Sequence, residues 1–155
     1  MAEEKVHIET IAAFKAVGFS GFGTTPEDQA WKALEAWAKP KGWLDDGVHR
    51  IFGFDNPEPS PGSPNYGYEF WLVLLPDDTV EDGLKVKDFS GGMYAVLRVD
   101  AVDPYKDIPA AWQALVKWQQ GSKYTIGRHQ CLEGHVSETR PPAVFSLDLY
   151  LPISE

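Results

Sequence analysis

Residues Ala30–Trp37 read AWKALEAW, and residues Ala111–Trp118 read AWQALVKW. Both stretches follow the pattern Ala-Trp-x-Ala-Leu-x-x-Trp, and Trp31 and Trp112 are 81 residues apart, about half the length of the 155-residue chain. Tryptophan is a rare residue, and four of the six in this chain fall in register between the two stretches. The two stretches therefore indicate an internal repeat.

The similarity extends beyond these two stretches. Ile51-Phe52-Gly53 returns as Leu132-Glu133-Gly134 at the same offset of 81 residues. Residues 66–73 (YGYEFWLV) return as residues 145–152 (FSLDLYLP) at an offset of 79, which aligns Glu69 with Asp148 and Trp71 with Tyr150. We expect an α+β fold, in which a strand-helix-strand-strand unit is duplicated about a pseudo-twofold axis.

The local patterns predict the same order of elements in each half. Apolar alternation and turn residues predict strands over 6–22, 48–54 and 66–75 in the first half, and over 85–102, 129–136 and 144–153 in the second. Thr25 and Pro26 predict the start of one helix, which Pro40 ends, and Asp107 predicts the cap of another that runs to Gln120. A proline-rich turn is predicted over 56–65.

This pattern predicts antiparallel sheets and two main helices around a central cleft. We expect residues 1–155 to form one domain, with half-repeats of about 1–80 and 81–155, because no linker separates the halves and the chain length is typical of a single core. Ligand pockets favour the seam between repeated units, so the residues at which the halves differ are of most interest.

Composition argues against several classes of function. The chain has 14 Lys and Arg against 23 Asp and Glu, a formal net charge of −9, which would repel a phosphate backbone. No apolar stretch approaches the roughly 20 residues of a membrane-spanning helix. Cys131 is the only cysteine, and residues 1–9 show no signal-peptide pattern. We expect a cytoplasmic protein that binds neither nucleic acid nor membrane and needs no cofactor.

Glu133 is the first candidate for a functional residue. It lies in a short apolar stretch, Cys131-Leu132-Glu133-Gly134, where the other half has Phe52. A carboxylate buried without a partner is costly, so such a residue is retained because of a partner or because of its use. A surface position, or a structural hydrogen bond from a backbone amide, is the alternative explanation.

Aromatic residues supply the second set of candidates. In a strand over 66–75, Tyr68 and Phe70 lie on one side, and Glu69 and Trp71 lie on the other. Rings around a carboxylate bind a flat apolar or cationic molecule, with about 1–2 kcal/mol for each good contact. Core packing is the alternative for any one ring, but it explains the whole set less well: Trp31, Trp37, Trp71, Trp112, Trp118, Tyr68, Tyr94 and Tyr150 all lie on the repeated elements.

Two other kinds of chemistry have weaker support. His129, Cys131, Glu133 and His135 alternate along one strand and are all metal-ligand types. Four such residues spread over roughly 20 Å of extended chain, so one strand cannot gather them around an ion, and we expect no metal site. Cys131 has no surrounding pattern of a catalytic nucleophile, and we interpret it as a small apolar residue.

Four stretches together resemble the GyrI-like small-molecule-binding family. They are Tyr66–Trp71 (YGYEFW), Gly91–Val96 (GGMYAV), Trp112–Trp118 (WQALVKW) and Leu147–Ile153 (LDLYLPI), and they occur in the family's order. This family is related to the effector-binding domains of multidrug-responsive bacterial transcription activators and to the DNA gyrase inhibitory protein. The resemblance covers nearly the whole chain.

The resemblance implies two strand-helix-strand-strand units around a central cleft. It also implies that Glu133 matches the family's glutamate, which lies in the cleft among aromatic rings. Relatives often have a tyrosine two residues after that glutamate, whereas this chain has His135, which affects ligand choice and pH response. The related activators carry a helix-turn-helix segment before this domain. Here the domain begins within ten residues of Met1, so we expect a stand-alone protein without a DNA-binding domain.

We therefore expect a binding protein for amphipathic aromatic or cationic organic compounds. Glu133 would be the charge partner, and Tyr68, Trp71, Trp112 and Tyr150 would be the walls, with Glu69, Trp31 and Trp37 as further contacts. Two alternatives remain. In the first, the protein hydrolyses strained electrophiles of the cyclopropanoid type, with Glu133 activating water and Tyr68 as the proton donor. In the second, the protein inhibits DNA gyrase by protein–protein contact, with its acidic surface mimicking DNA; a regulator is the other candidate protein partner.

Overall fold

The computed structural model describes residues 6–44, 46–56, 61–136 and 145–155. In chain order the elements are β1 (His7–Ile11), β2 (Phe14–Gly23), α1 (Pro26–Ala38), β3 (Ile51–Asp55), β4 (Tyr66–Val73), β5 (Val86–Phe89), β6 (Gly92–Ala101), α2 (Pro104–Gln120), β7 (Thr125–Ile126), β8 (Leu132–His135) and β9 (Phe145–Ser154). Two helices and antiparallel strands make this the predicted α+β class.

The chain divides into two compact units. One is Phe14–Phe89, which we call unit A, and the other is Met1–Ala13 together with Ser90–Glu155, which we call unit B. The units differ from the two sequence halves because β1 pairs with β6 and so lies in unit B.

Each unit has one helix and one antiparallel sheet. In unit A the strand order is β3-β4-β2-β5, and in unit B it is β8-β9-β6-β1, with β7 also pairing with β9. In unit A, β2 is followed by α1, β3 and β4, and β4 lies between β2 and β3 in the sheet. In unit B, β6 is followed by α2, β7, β8 and β9, and β9 lies between β6 and β8. This shared order is the one that the repeat predicts, while the duplication itself stays a prediction.

Helix α1 forms largely as its sequence predicts. Pro26 is at its first position, and the acidic residues Glu27 and Asp28 lie in its first turn. The helix buries Leu34 and Ala38 against Ile51 and Leu72 of the unit A sheet. The predicted cap is wrong in one respect.

The side chain of Thr25 makes no capping hydrogen bond. Its backbone, at φ −135° and ψ 61°, lies outside the extended region from which a cap side chain reaches the first N–H groups.

Helix α2 begins at Pro104, three residues before the predicted cap. Asp107 lies inside its first turn, where Oδ2 accepts hydrogen bonds from the backbone N–H of Val102 (3.0 Å) and of Asp103 (3.1 Å). Asp107 therefore satisfies N–H groups at the helix start from within the helix. Leu115 is fully buried in the core of unit B.

The structure divides each of two predicted strands into two shorter strands. The predicted strand over 6–22 separates into β1, which pairs with β6, and β2, which pairs with β4 and β5. The predicted strand over 85–102 separates into β5 and β6, with Gly91 between them at φ 82°. A side chain at Gly91 would lie 2.3 Å from the carbonyl oxygen of Ile11, so this turn requires glycine.

Strand β7 was not predicted from the sequence, since it has only two residues. Residues 57–60 of the predicted turn, and Val144 at the predicted start of the last strand, lie outside the described residues. Among the residues described, neither helix has the length and the apolar character needed to cross a bilayer.

Candidate functional site

Glu133 lies on the face of the unit B sheet that carries α2. In β8, Leu132 and Gly134 are buried while Glu133 and His135 are half-buried, so the strand alternates as expected. Glu133 stands opposite Leu149, a core residue that packs with Leu115 of α2. Its side chain is therefore on the helix side of the sheet.

The indole of Trp112 approaches the Glu133 carboxylate. Its Nε1–H donates a long hydrogen bond to Oε2, with 3.4 Å between the two heavy atoms. Trp112 is half-buried, and it is held by the docking of α2 through Leu115, one turn further along the helix. A partly exposed carboxylate beside an indole can bind a cation by charge and by contact with the ring. We call this pair the Glu133 site.

The strand register bears on two of the predicted correspondences between the halves. Phe52 stands opposite Trp71 in unit A, and Leu132 stands opposite Tyr150 in unit B. If Trp71 corresponds to Tyr150, then Phe52 corresponds to Leu132, not to Glu133. Glu133 then corresponds to Gly53. The predicted correspondences of Trp71 with Tyr150 and of Phe52 with Glu133 therefore do not fit one register.

In unit A, Tyr68 and Phe70 lie on the helix side of the sheet. Phe70 packs 5.2 Å from the ring of Trp31 on α1, edge to face, and Tyr68 is 5.0 Å from Phe70. Tyr68 is 5% exposed, and its ring lies directly over Gly53. This cluster thus brings together two of the predicted site residues, Tyr68 and Trp31.

Gly53→Ala is expected to lower the free energy of unfolding by about 2 kcal/mol, because overpacking a buried ring forces strain. A Cβ atom at this position would stand 2.2 Å from the Tyr68 hydroxyl oxygen. Urea denaturation measures the loss. Gly121→Ala is the matched control, since the nearest atom to its Cβ is 3.8 Å away. Equal effects of the two substitutions would contradict the described position of the Tyr68 ring.

Glu69 and Trp71 lie on the opposite side of β4 from Tyr68. The Trp71 Nε1–H donates to Glu69 Oε2 at 2.6 Å, and the Asn56 side-chain amide donates to Oε1 at 3.2 Å. Glu69 is 6% exposed, so its carboxylate is nearly removed from water. We call Glu69, Trp71 and Asn56 the Glu69 site.

Rings of phenylalanine surround Trp71, and sequence reasoning did not select them. Phe54 lies 4.8 Å from the Trp71 ring, Phe89 lies 5.8 Å away and Phe14 lies 6.1 Å away. Phe52 stacks on Phe14 at 5.9 Å. The signal available in the sequence was the alternation of Phe52 with Phe54, which places both rings on one side of β3.

Tyr150 lies on the side of the unit B sheet away from α2. It is buried, it packs 5.6 Å from the ring of Tyr94, and it stands opposite Leu132. The Tyr94 hydroxyl donates to the carbonyl oxygen of Gln130, and burial raises the pKa of Tyr94. Tyr150 is thus on the other face of the sheet from Glu133, and the predicted wall role of Tyr150 beside that carboxylate stays a prediction.

Trp37 makes a further set of ring and hydrogen-bond contacts at the end of α1. Its ring packs 5.4 Å from Trp43, and its Nε1–H donates to Glu81 Oε2 at 2.9 Å. Lys41 places its ammonium 5.1 Å from the centre of the Trp37 ring and 2.7 Å from Glu81 Oε1. These contacts secure the end of the helix, and Trp37 and Trp31 both pack against the core of unit A.

Beside Trp43, near the end of α1, the His49 ring forms hydrogen bonds with two carboxylates. The His49 ring nitrogens lie 2.6 Å from Asp46 Oδ2 and 2.7 Å from Asp78 Oδ2, and the ring stacks on Trp43 at 4.5 Å. Burial lowers the pKa of His49, but the hydrogen bonds with Asp46 and Asp78 raise it more, so the net pKa is above its ordinary value. We call Asp46, His49 and Asp78 the His49 clamp.

His129 and Cys131, two residues of the metal alternative, lie in different surroundings. His129 Nε2 lies 2.7 Å from the carbonyl oxygen of Met93, and Cys131 is exposed. Within the described part of the chain, no group of three or more His, Cys, Asp and Glu side chains is placed to hold a metal ion.

Comparison with known proteins gives one family match. Residues 4–154 match the family described as GyrI-like small molecule binding domain. No curated protein matches the sequence significantly.

Several solved structures share the fold at low sequence identity. The EcmrR C-terminal domain superposes with a TM-score of 0.65 at 12% identity, covering 98% of this chain and 98% of that one. A hydrolase encoded by lin2189 from Listeria innocua gives 0.64 at 13%, covering 98% and 93%. SAV2435 bound to tetraphenylphosphonium gives 0.57 at 10%, covering 97% and 94%. At these identities the similarity shows the fold alone.

Proposed function

The chain belongs to the GyrI-like small-molecule-binding family, and from this membership we propose that it binds amphipathic organic cations that carry aromatic rings. Glu133 is the charge partner in this proposal, and Trp112 is an aromatic wall. The observation that carries the proposal is the half-buried Glu133 carboxylate, whose Oε2 lies 3.4 Å from the Trp112 indole nitrogen.

Physical chemistry favours a cation at this place. A partly desolvated carboxylate attracts a positive charge more strongly than an exposed one, because the local dielectric is lower. The indole face attracts the same charge through its quadrupole, with about 0.5–2 kcal/mol for each contact. The net charge of −9 adds a long-range attraction for cations and repels anions.

The comparison with SAV2435 supports the choice of ligand class. That protein shares the fold and is bound to tetraphenylphosphonium, a cation that carries four aromatic rings. Tetraphenylphosphonium is therefore a suitable probe for the proposed site.

Glu133→Gln is expected to weaken the binding of tetraphenylphosphonium about tenfold, which corresponds to about 1.4 kcal/mol. Glutamine keeps the shape of the side chain and an acceptor for the Trp112 N–H but removes the charge. Isothermal titration calorimetry at neutral pH measures the dissociation constant.

Asp82→Asn is the matched control, because it also removes one negative charge but does so at an exposed position of unit A. It tests whether net charge alone attracts the probe. An unchanged affinity of Glu133→Gln, or an equal loss in both variants, would remove Glu133 from the proposed site.

A second candidate function is the hydrolysis of strained electrophiles. It is supported by the structural similarity to the Listeria innocua hydrolase. In this mechanism Glu133 takes a proton from the water that attacks the epoxide carbon, and the oxygen released when the ring opens takes a proton from the solvent. The test is incubation with an aryl epoxide, followed by chromatography of the diol. Hydrolysis no faster than in buffer would contradict this function.

A further inference from the structure

The Glu69 carboxylate is buried, and no cationic side chain of the described residues contacts it. Within the described part of the chain its hydrogen-bond partners are two neutral donors, the indole of Trp71 at 2.6 Å and the side-chain amide of Asn56 at 3.2 Å. Glu69 is 6% exposed. Removing a charge from water is costly when only neutral groups solvate it, so a positive partner at this carboxylate would gain free energy.

The lone pairs of the carboxylate suggest what kind of cation fits. A carboxylate offers about four acceptor sites, and the two donors of this site use one on each oxygen. The remaining sites accept directed N–H bonds, and such charge-assisted bonds are roughly twice as strong as neutral ones. A quaternary cation has no N–H group and cannot use them.

We propose that the Glu69 site is a second ligand site, which takes organic ammonium ions that carry N–H donors and a flat aromatic group. The ammonium N–H groups bond to the Glu69 oxygens, and the aromatic group lies against the Trp71 and Phe54 rings, which are 4.8 Å apart. This site differs in residues from the Glu133 site, and it does not depend on the function proposed above.

Gly18 leaves just enough space for the Glu69 carboxylate. Gly18 on β2 stands opposite Trp71, and a Cβ atom there would lie 2.8 Å from Glu69 Oε2 and 3.4 Å from Trp71 Cδ1. Any other residue would push the carboxylate out of its place beside the indole. Glycine at residue 18 is therefore required for the described position of the Glu69 carboxylate.

Two matched probes test the proposal directly. 1-Naphthylmethylammonium and N,N,N-trimethyl-1-naphthylmethylammonium have the same ring and the same charge, and only the first has N–H donors. We expect the wild-type protein to bind the first about tenfold more tightly by calorimetry, because a charge-assisted hydrogen bond is worth roughly a factor of ten.

Two variants test whether the preference for the primary ammonium arises at the Glu69 site. Glu69→Gln removes the charge, and Gly18→Ala keeps the charge but displaces the carboxylate, so both are expected to bind the two probes equally. Glu133→Gln is expected to retain the tenfold preference, which separates this site from the one proposed above. Matched circular dichroism spectra verify that each variant is folded.

An NMR measurement reports on the site even if Glu69→Gln does not fold. The indole N–H resonance of Trp71, assigned with Trp71→Phe, is expected to shift on addition of the primary ammonium to the wild-type protein. Three results would overturn the proposal: equal binding of both probes by the wild type, a preference that persists in both Glu69→Gln and Gly18→Ala, or an unchanged Trp71 resonance at saturating probe.

Discussion

His49→Gln is expected to lower the free energy of unfolding by about 3 kcal/mol, the loss typical of removing one partner from a buried ion pair. The His49 side chain is 5% exposed, and its two ring nitrogens bond to different carboxylates. The two hydrogen bonds favour the imidazolium form of the ring, in which both nitrogens carry a proton and donate it, and they raise the pKa of His49. Glutamine has no charge and leaves Asp46 and Asp78 facing each other.

The unfolding free energy lost in His49→Gln is expected to depend on pH. The pKa of His49 is raised in the folded state, so the stability that it contributes is complete below its ordinary pKa of 6.5 and is lost as the pH rises through the raised value. Burial raises the pKa of Asp46, but the backbone N–H groups of His49 and Val48 and the His49 side chain together lower it more, so the contribution of Asp46 is lost in acid, below 3.8.

The measurement is urea denaturation of the wild type and of His49→Gln at a series of pH values. The difference in unfolding free energy is expected to be largest from about pH 4 to pH 6.5 and to shrink in alkali. A double-mutant cycle with Asp78→Asn provides the control, because Asp78→Asn should cost less when His49 is already absent. A difference that grows as the pH rises above 6.5 would contradict the His49 clamp.

Leu115→Ala is expected to cost about 3 kcal/mol, because it leaves a cavity between α2 and the sheet of unit B. Leu115 is fully buried, and it packs with Leu97, Leu149 and Leu151 in the core of that unit. Calorimetric or urea unfolding measures the loss.

Gln113→Ala is the control, since residue 113 is exposed on the same helix and should change stability by less than about 0.5 kcal/mol. A loss below 1 kcal/mol in Leu115→Ala, close to that of the control, would contradict the described docking of α2. Because α2 carries Trp112 to Glu133, this docking also positions the proposed binding site.

The helices and most strands follow from local patterns in the sequence. Pro26 and the spacing of Leu34 and Ala38 predict α1 closely, because caps and helical periodicity act within a few residues. The division of residues 6–22 into β1 and β2 was not predictable in this way. Apolar alternation continues across Ala12 and Ala13, and only the choice of distant partner strands separates the two elements.

The candidate site was predicted in part. The proximity of Trp112 and Glu133 was expected, and the alternation of β4 correctly separated Tyr68 from Trp71. Which side of β4 faces the helix was not predictable, because alternation fixes two sides but not their direction. The structure shows Phe70, and hence Tyr68, on the side of α1.

The His49 clamp was missed for a different reason. One of its members is far from the other two in sequence: Asp46 and His49 lie before β3, whereas Asp78 follows β4. None of them belongs to a motif, and acidic residues are common in this chain. Only the packing of the two loops brings both carboxylates to one imidazole ring.

The most direct test compares a cation with a neutral molecule of similar shape at the Glu133 site. Calorimetry would measure the binding of tetraphenylphosphonium and of triphenylphosphine oxide to the wild type and to Glu133→Gln. We expect the wild type to prefer the cation about tenfold and Glu133→Gln to show no preference, because only the carboxylate recognises charge. A preference that survives intact in Glu133→Gln would contradict the role assigned to Glu133.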